Sequence, residues 1–343
     1  MSVNKSYKCK KLVINGFGDP TKVVSLEETD ENLSPQKDEV LVETMLVSVN
    51  PADINMIQGR YPVKPDKFPA TPGIEGVGKI LEIGSDVVTL ARGDIVINDG
   101  ISFGTWQSHR ICSHEHLTKV PESVPITEAA GLAINGVTAY RLLRDFVELR
   151  PGDVVIQNGA NSSCGQNVIQ LCKQWGVRTV NIVRSRPNLE ELVQSLTSLG
   201  ADLVVEEDQV GTLTPEKLGG SPRLALNCVG GTSVTRMLRH LAPSSVVVTY
   251  GGMSLNPVTI PTTTFIFQDI RFVGFWLKTW ITKYKNTVIW ADMMNELIEL
   301  ARTKRLKAPA YKTVPLKEFQ EAVENTLSTK GYVNRKYLID FKS

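Results

Sequence analysis

Residues 151–186, PGDVVIQNGANSSCGQNVIQLCKQWGVRTVNIVRSR, decide how the rest of the chain is read. Positions 153–157 are a short β-branched run of the kind a buried strand requires. Positions 158–165 are small and polar and read as a turn. Val168, Ile169, Leu171, Cys172 and Trp175 then recur at the spacing of one helix face, and positions 178–183 form a second apolar strand. Strand, tight turn, helix and strand within about 35 residues is the βαβ unit that holds a dinucleotide. The first amides of such a helix lack intrahelical partners and sit at the positive end of its dipole, so a pyrophosphate can dock there.

The turn is not the full G-x-G-x-x-G. Only Gly159 and Gly165 are glycines, with Asn161, Ser162, Ser163 and Cys164 between them. Ser162 and Ser163 are small enough for a tight turn and carry hydroxyls that can donate to phosphate. A helix start capped by Asn161 or Ser162, with no ligand, fits the same residues. The second strand separates the readings. It ends Val183-Arg184-Ser185-Arg186, where an NAD site usually places an acidic residue for the ribose 2′-OH. Guanidiniums offer planar, charge-assisted donors that suit a 2′-phosphate, so the pair Arg184 and Arg186 around Ser185 favours NADP.

At 343 residues the chain has room for two domains. A formal charge of +2 with 22% charged residues gives no case for nucleic acid or a membrane surface, and no stretch is apolar enough to span a bilayer. Its five cysteines contain no C-x-x-C pair, which points to a reducing compartment and away from a cysteine-rich zinc lobe. The N-terminal MSVNKSYKCKK is basic without an apolar core, which argues against a secretion signal.

Along the chain, KLVINGFGDP, DEVLVETMLVSVNP, GVGKILEIGS, GDIVIND and GTWQSHRICS read as short strands bounded by turns, a β-rich domain over about the first 130 residues. ITEAAGLAINGVTAYRLLRDF is helical. After position 186, strands in DLVVEE, RLALNCVG, SSVVVTYGGMS and RFVGFWL alternate with helices in PNLEELVQSLTSLGA and TSVTRMLRHLAP, which implies a doubly wound parallel sheet in an α/β fold. TVIWADMMNELIELARTKRL and VPLKEFQEAVENTLSTK read as helices and KYLIDF as a last strand, a tail expected to complete the first domain.

NPADINMIQGRYPVKP, GIEGVGKI, VIQNGANSSCGQNVIQ, NIVRSRP, LALNCVGG, VTYGGMS and GFWL, in this order, resemble the mitochondrial trans-2-enoyl-thioester reductase family of the medium-chain dehydrogenase/reductases, over nearly the whole chain. The resemblance implies a β-rich, GroES-like catalytic domain at 1–134 and 290–343 and a Rossmann NADPH-binding domain at 135–289. It implies NADPH-dependent reduction of enoyl thioesters carried on acyl carrier protein or CoA, in the mitochondrial matrix, by a homodimer. Tyr61 takes the family's catalytic position. NADPH contacts fall on Asn135, on Asn161, Ser162, Ser163 and Cys164, and on Arg184, Ser185 and Arg186. Others fall on Tyr250, Gly251, Gly252 and Met253, on Phe275, Trp276 and Leu277, and on Lys336. One departure stands out: the family turn usually reads Asn-Ser-Gly-Val where this chain has Asn161-Ser162-Ser163-Cys164.

Zinc-dependent members of the superfamily place cysteine and histidine ligands where this chain has Asp53 and Ile74, so a metal-free reaction is expected. His109, His114 and His116 are the one histidine-rich stretch, with no partner ligand in view. Reducing a conjugated thioester builds negative charge on its oxygen, and a neutral phenol such as Tyr61 can donate to it and supply a proton. A turn tyrosine half-packed on the surface fits the same position, as a helix N-cap fits Asn135. A zinc-free quinone reductase, or a non-catalytic NADPH-binding protein, is the competing reading.

Overall fold

The computed structural model describes residues 6–101, 103–326 and 335–343. Contacts divide the chain into two units, Met1–Ile134 with Met294–Ser343, and Asn135–Met293. The second junction falls inside the helix Val288–Arg302, a few residues past the 289/290 position read from the sequence.

The first unit is antiparallel sheet except for one parallel pair in its tail, because its apolar residues alternate and its turns are short. Its strands are β1 (Ser6–Ile14), β2 (Val24–Asn32), β3 (Glu39–Ser48), β4 (Gly76–Ile83), β5 (Ile95–Asn98), β6 (His109–Ser113) and β7 (Leu117–Val120). β1 pairs with β2, while β3 pairs with both β4 and β6, and β5 lies between β4 and β7. NPADINM is not purely extended. Two residues past β3, Asn50 is the N-cap, Pro51 opens the helix Pro51–Ile57, and Asp53 Oδ2 accepts from the Asn50 amide at 2.8 Å.

The second unit supplies β8 (Val154–Asn158), β9 (Arg178–Val183), β10 (Leu203–Glu206), β11 (Leu224–Asn227), β12 (Val246–Thr249) and β13 (Arg271–Gly274). All are parallel, in the order β10-β9-β8-β11-β12-β13. The order reverses between β8 and β11, so the dinucleotide crevice of this fold lies at their carboxyl ends. RFVGFWL is strand only as far as Gly274. β12 stops at Thr249, the Phe275 amide makes the last bond to it, and from Leu277 the chain turns helical as Leu277–Tyr284.

The tail returns to the first unit as β14 (Tyr311–Pro315) and β15 (Lys336–Asp340), with β15 seated between β14 and β3. Of the helix expected over VPLKEFQEAVENTLSTK, Val314 and Pro315 belong to β14 and the helix is Phe319–Thr326; residues 327–330 lie outside the described residues.

Lys336, at the start of β15, fastens this return. Its buried ammonium lies 2.7 Å from Asn50 Oδ1 and 3.3 Å from Glu75 Oε2. Glu75, fully buried, also accepts from Asn50 Nδ2 at 3.0 Å and from the Ile134 amide at 2.8 Å. Two carboxylates, Asp53 and Glu75, therefore share one ammonium away from water. Asp53 is the one left short, since its Oδ1 is buried with no hydrogen-bond partner among the described residues. Burial pushes its carboxyl up from 3.8 to about 7, against the pull of the Asn50 amide and Lys336. The native state thus holds a proton that the unfolded chain releases near pH 4, and stability falls as pH rises from about 4 to about 7. Asp53→Asn keeps an acceptor for the Asn50 amide and cannot ionise. Urea midpoints of the two proteins should diverge across that window, the variant gaining a few kcal/mol over the native chain by pH 8; parallel curves would show that Asp53 does not carry the proton.

Candidate active site

At the end of β8 the chain reverses through Gly159, whose φ of +60° is left-handed. A Cβ there would stand 2.5 Å from Cys228 Sγ, and one at Gly165 would stand 2.6 Å from the Ala160 carbonyl oxygen. The two glycines of the incomplete fingerprint are therefore the two that the geometry requires, one for the turn and one for close packing of helix on strand. Ser162 is the N-cap of the helix Ser163–Gln174, its Oγ accepting from the Gly165 amide at 3.1 Å. Ser163 is already in the helix and has no positive φ, so serine in place of the family's glycine strains nothing. Asn161, Ser162 and Ser163 are half-buried and Cys164 is buried. A 12-residue helix presenting this turn fits a pyrophosphate.

The switch point is fixed by residues that the sequence reading passed over. Asn158 ends β8 and Asn227 ends β11, both fully buried. Asn158 Nδ2 donates to Asn227 Oδ1 at 2.8 Å, and Asn158 Oδ1 accepts from the Cys228 amide at 2.8 Å. Asn227 Oδ1 accepts from the Gly230 amide at 2.9 Å, and its Nδ2 donates to Thr249 Oγ1 at the end of β12 at 3.1 Å. Three strand ends are thereby locked together. The available signal was two apolar runs, VVIQN and LALN, that each close on asparagine.

After β9, Arg184 and Ser185 are exposed, free of the sheet's burial, whereas Arg186 is buried with its Nε donating back to the Arg184 carbonyl at 3.3 Å. The exposed Arg184 and Ser185 could hold an anionic group such as a 2′-phosphate, whereas buried Arg186 braces their loop. Tyr250 follows β12; its buried hydroxyl, without a nitrogen or oxygen partner among the described residues, faces the Cys164 and Cys228 thiols. Burial pushes the Cys228 thiol up to about 11 and that of Cys164 higher, so both stay protonated and neither is a ready nucleophile. Gly251 lies against the Cys228 carbonyl, where a Cβ would approach to 3.0 Å; Gly252 is open on all sides and Met253 is exposed. Phe275 meets Phe146 edge-on at 6.1 Å, Trp276 is exposed, and Leu277 begins a helix. Asn135 is not an N-cap. It lies within a π-helical turn, Leu132–Gly136, that runs into the helix Val137–Arg144.

In the first unit, Tyr61 is half-buried in a loop pinned at both ends. The amides of Arg60 and Tyr61 both donate to the Asn55 carbonyl, at 2.8 and 3.2 Å, and Ala70 exchanges two backbone bonds with Ile14 at 2.9 Å. Lys336 lies in this unit too, committed to Asn50 and Glu75 as described above. The positions compared above with zinc ligands hold Asp53 and Ile74 here, and the acceptors of Glu75 and Asn50 are already taken up by the Lys336 ammonium. The three histidines go separate ways: His109 packs on Tyr7, His114 reaches Thr89, and His116 pairs with the buried Asp99 at 2.7 Å.

With this geometry the comparisons agree. Residues 36–122 match the alcohol dehydrogenase GroES-like domain and residues 164–293 the zinc-binding dehydrogenase family. The mitochondrial enoyl-[acyl-carrier-protein] reductase of Rattus norvegicus is 42% identical over 333 residues, covering 96% of this chain and 88% of the relative. The mitochondrial 2-enoyl thioester reductase Etr1p/Etr2p heterodimer from Candida tropicalis matches with a TM-score of 0.86 at 32% identity, over 98% of this chain and 100% of that one. The complex of Etr1p with NADP and crotonyl-CoA matches with a TM-score of 0.88 at 33% identity and the same coverage. The chain belongs to the mitochondrial enoyl-[acyl-carrier-protein] reductase family of the medium-chain dehydrogenase/reductases.

Proposed function

We propose that the protein reduces the C2–C3 double bond of trans-2-enoyl thioesters with NADPH, as a step of fatty acid synthesis in the mitochondrial matrix. The observation that carries this reading is family membership over nearly the whole chain, laid on a parallel sheet whose phosphate turn, switch point and post-β9 arginine all suit NADPH.

NADPH, when bound, supplies the hydride that C3 of the substrate accepts. The residues Asn161, Ser162, Ser163 and Cys164 seat its pyrophosphate at the helix start, and Arg184 and Ser185 hold its 2′-phosphate. Gly251 and Gly252 let the backbone after β12 lie close to the cofactor, with Tyr250, Met253, Phe275, Trp276, Leu277 and Asn135 as further contacts, while Lys336, buried and committed to Asn50 and Glu75, serves the first unit instead. Tyr61 hydrogen-bonds to the thioester oxygen as negative charge builds there and then gives that one proton to C2, its phenolate regaining a proton from solvent. Two backbone bonds to Asn55 hold its loop in place before substrate arrives, so little reorganisation is left for the reacting state.

The protein works as a homodimer in this reading. β13 pairs only with β12 among the described strands, and its residues are mostly exposed. The adjoining helix Thr262–Gln268 exposes Phe265, Ile266 and Phe267, the last to 77%. An open strand edge beside three apolar side chains is an interface in search of its twofold mate.

Tyr61→Phe should lower kcat by about ten- to a thousandfold in an NADPH-oxidation assay with 2-enoyl-CoA while nearly keeping NADPH affinity. Equal kcat would remove the phenol from the chemistry. Arg184→Ala should weaken NADPH by about 1.5–3 kcal/mol and leave NADH almost unchanged; unaltered discrimination in a fluorescence titration would move the 2′-phosphate elsewhere. Phe267→Glu combined with Val273→Lys should shift sedimentation from dimer to monomer, and a dimer that persists would place the interface on another face.

A further inference from the structure

Beside Tyr61 lies a surface feature for which neither the fold nor the cofactor has a use. Phe17, in the turn after β1, is 40% exposed, and Phe68, at the far end of the Tyr61 loop, is 38% exposed. Their rings meet edge to face with centroids 5.1 Å apart. Lys64 reaches over the Phe17 ring, its Nζ 5.5 Å from the centroid. The corner is built rigidly. Gly18 donates to the Ile57 carbonyl at 3.0 Å, tying the Phe17 turn to the helix that precedes Tyr61. Gly59, at φ +72°, lies so close that a Cβ would come within 3.0 Å of Phe17 Cγ.

Charge adds direction. Arg60, Lys64 and Lys67 are exposed around the two rings, against the single exposed carboxylate of Asp66 in the same loop. Three cations less one anion give this loop +2, the formal charge of the whole 343-residue chain. Asp19, on the neighbouring turn, is engaged by Thr21 and Lys22. An apolar centre with a basic rim is the anatomy of a protein interface.

We propose that Phe17, Phe68, Lys64 and Lys67 form the docking corner for a small acidic carrier protein that delivers the enoyl thioester past Tyr61. The proposal rests on the reductase reading and adds the surface by which that substrate arrives. Its test uses one trans-2-enoyl chain on three carriers: acyl carrier protein, CoA and N-acetylcysteamine. For Lys64→Glu/Lys67→Glu, kcat/KM with the protein-borne substrate should fall by about 10–100-fold at low salt, relative to the other two substrates. Phe68→Ala should lower the same ratio with little salt dependence. An unchanged ratio overturns the proposal. So does an equal fall with CoA and the carrier protein, which would make the corner a reader of the phosphorylated arm common to both. Should the double variant lose activity on all three through a disturbed Tyr61 loop, Lys64→Gln/Lys67→Gln decides, a fall confined to the protein-borne substrate supporting the corner and none refuting it. A native enzyme inert toward all three thioesters would instead defeat the reductase reading itself.

Discussion

The first unit depends on one buried ammonium. Lys336 reaches back 286 residues to Asn50 and 261 to Glu75, and the sheet that carries Tyr61 closes where that contact is made. Burying such a pair is expensive, and it is tolerable here because the remaining acceptors of Glu75 are filled by Asn50 and the Ile134 amide. The same contact ties the head of the unit to its tail, so three segments distant in sequence share one polar centre in an apolar surround.

That centre gathers carboxylates and an amide around an amine at the positions compared above with zinc ligands. In the proposed reaction, electrophilic assistance is assigned to a hydrogen-bond donor, the phenol of Tyr61. In the second unit a comparable economy is seen in the Asn158–Asn227 pair, where two amides satisfy each other and the loops beyond them. Such an arrangement shapes a crevice without placing charge in it.

Much of this was legible in the amino-acid order, and the exceptions have physical reasons. The βαβ unit announces itself because buried parallel strands demand β-branched runs and the phosphate turn demands small residues. Ser162 as cap and Gly159 and Gly165 as the required glycines follow from the same pattern. The partners of Lys336 do not, since nothing local to KYLIDF hints at Glu75. RFVGFWL looked like a single strand because aromatic residues satisfy strand and helix alike, and only the length of β12 determines where pairing stops. Arg184 and Arg186 look equivalent in RSR, yet one is exposed and the other buried, a distinction made by the loop and not by the letters.

The placing of β15 between β14 and β3 has a consequence for biosynthesis. The nucleotide-binding half is contiguous and has all its strands once the ribosome passes residue 293, so it can mature while the chain is still being made. The half bearing Tyr61 must wait with an open sheet edge until Lys336–Asp340 emerges. Its nascent strands, exposed for most of translation, are where a chaperone would be needed, and a chain stopped ahead of β15 would leave that half unfinished beside a complete nucleotide-binding half.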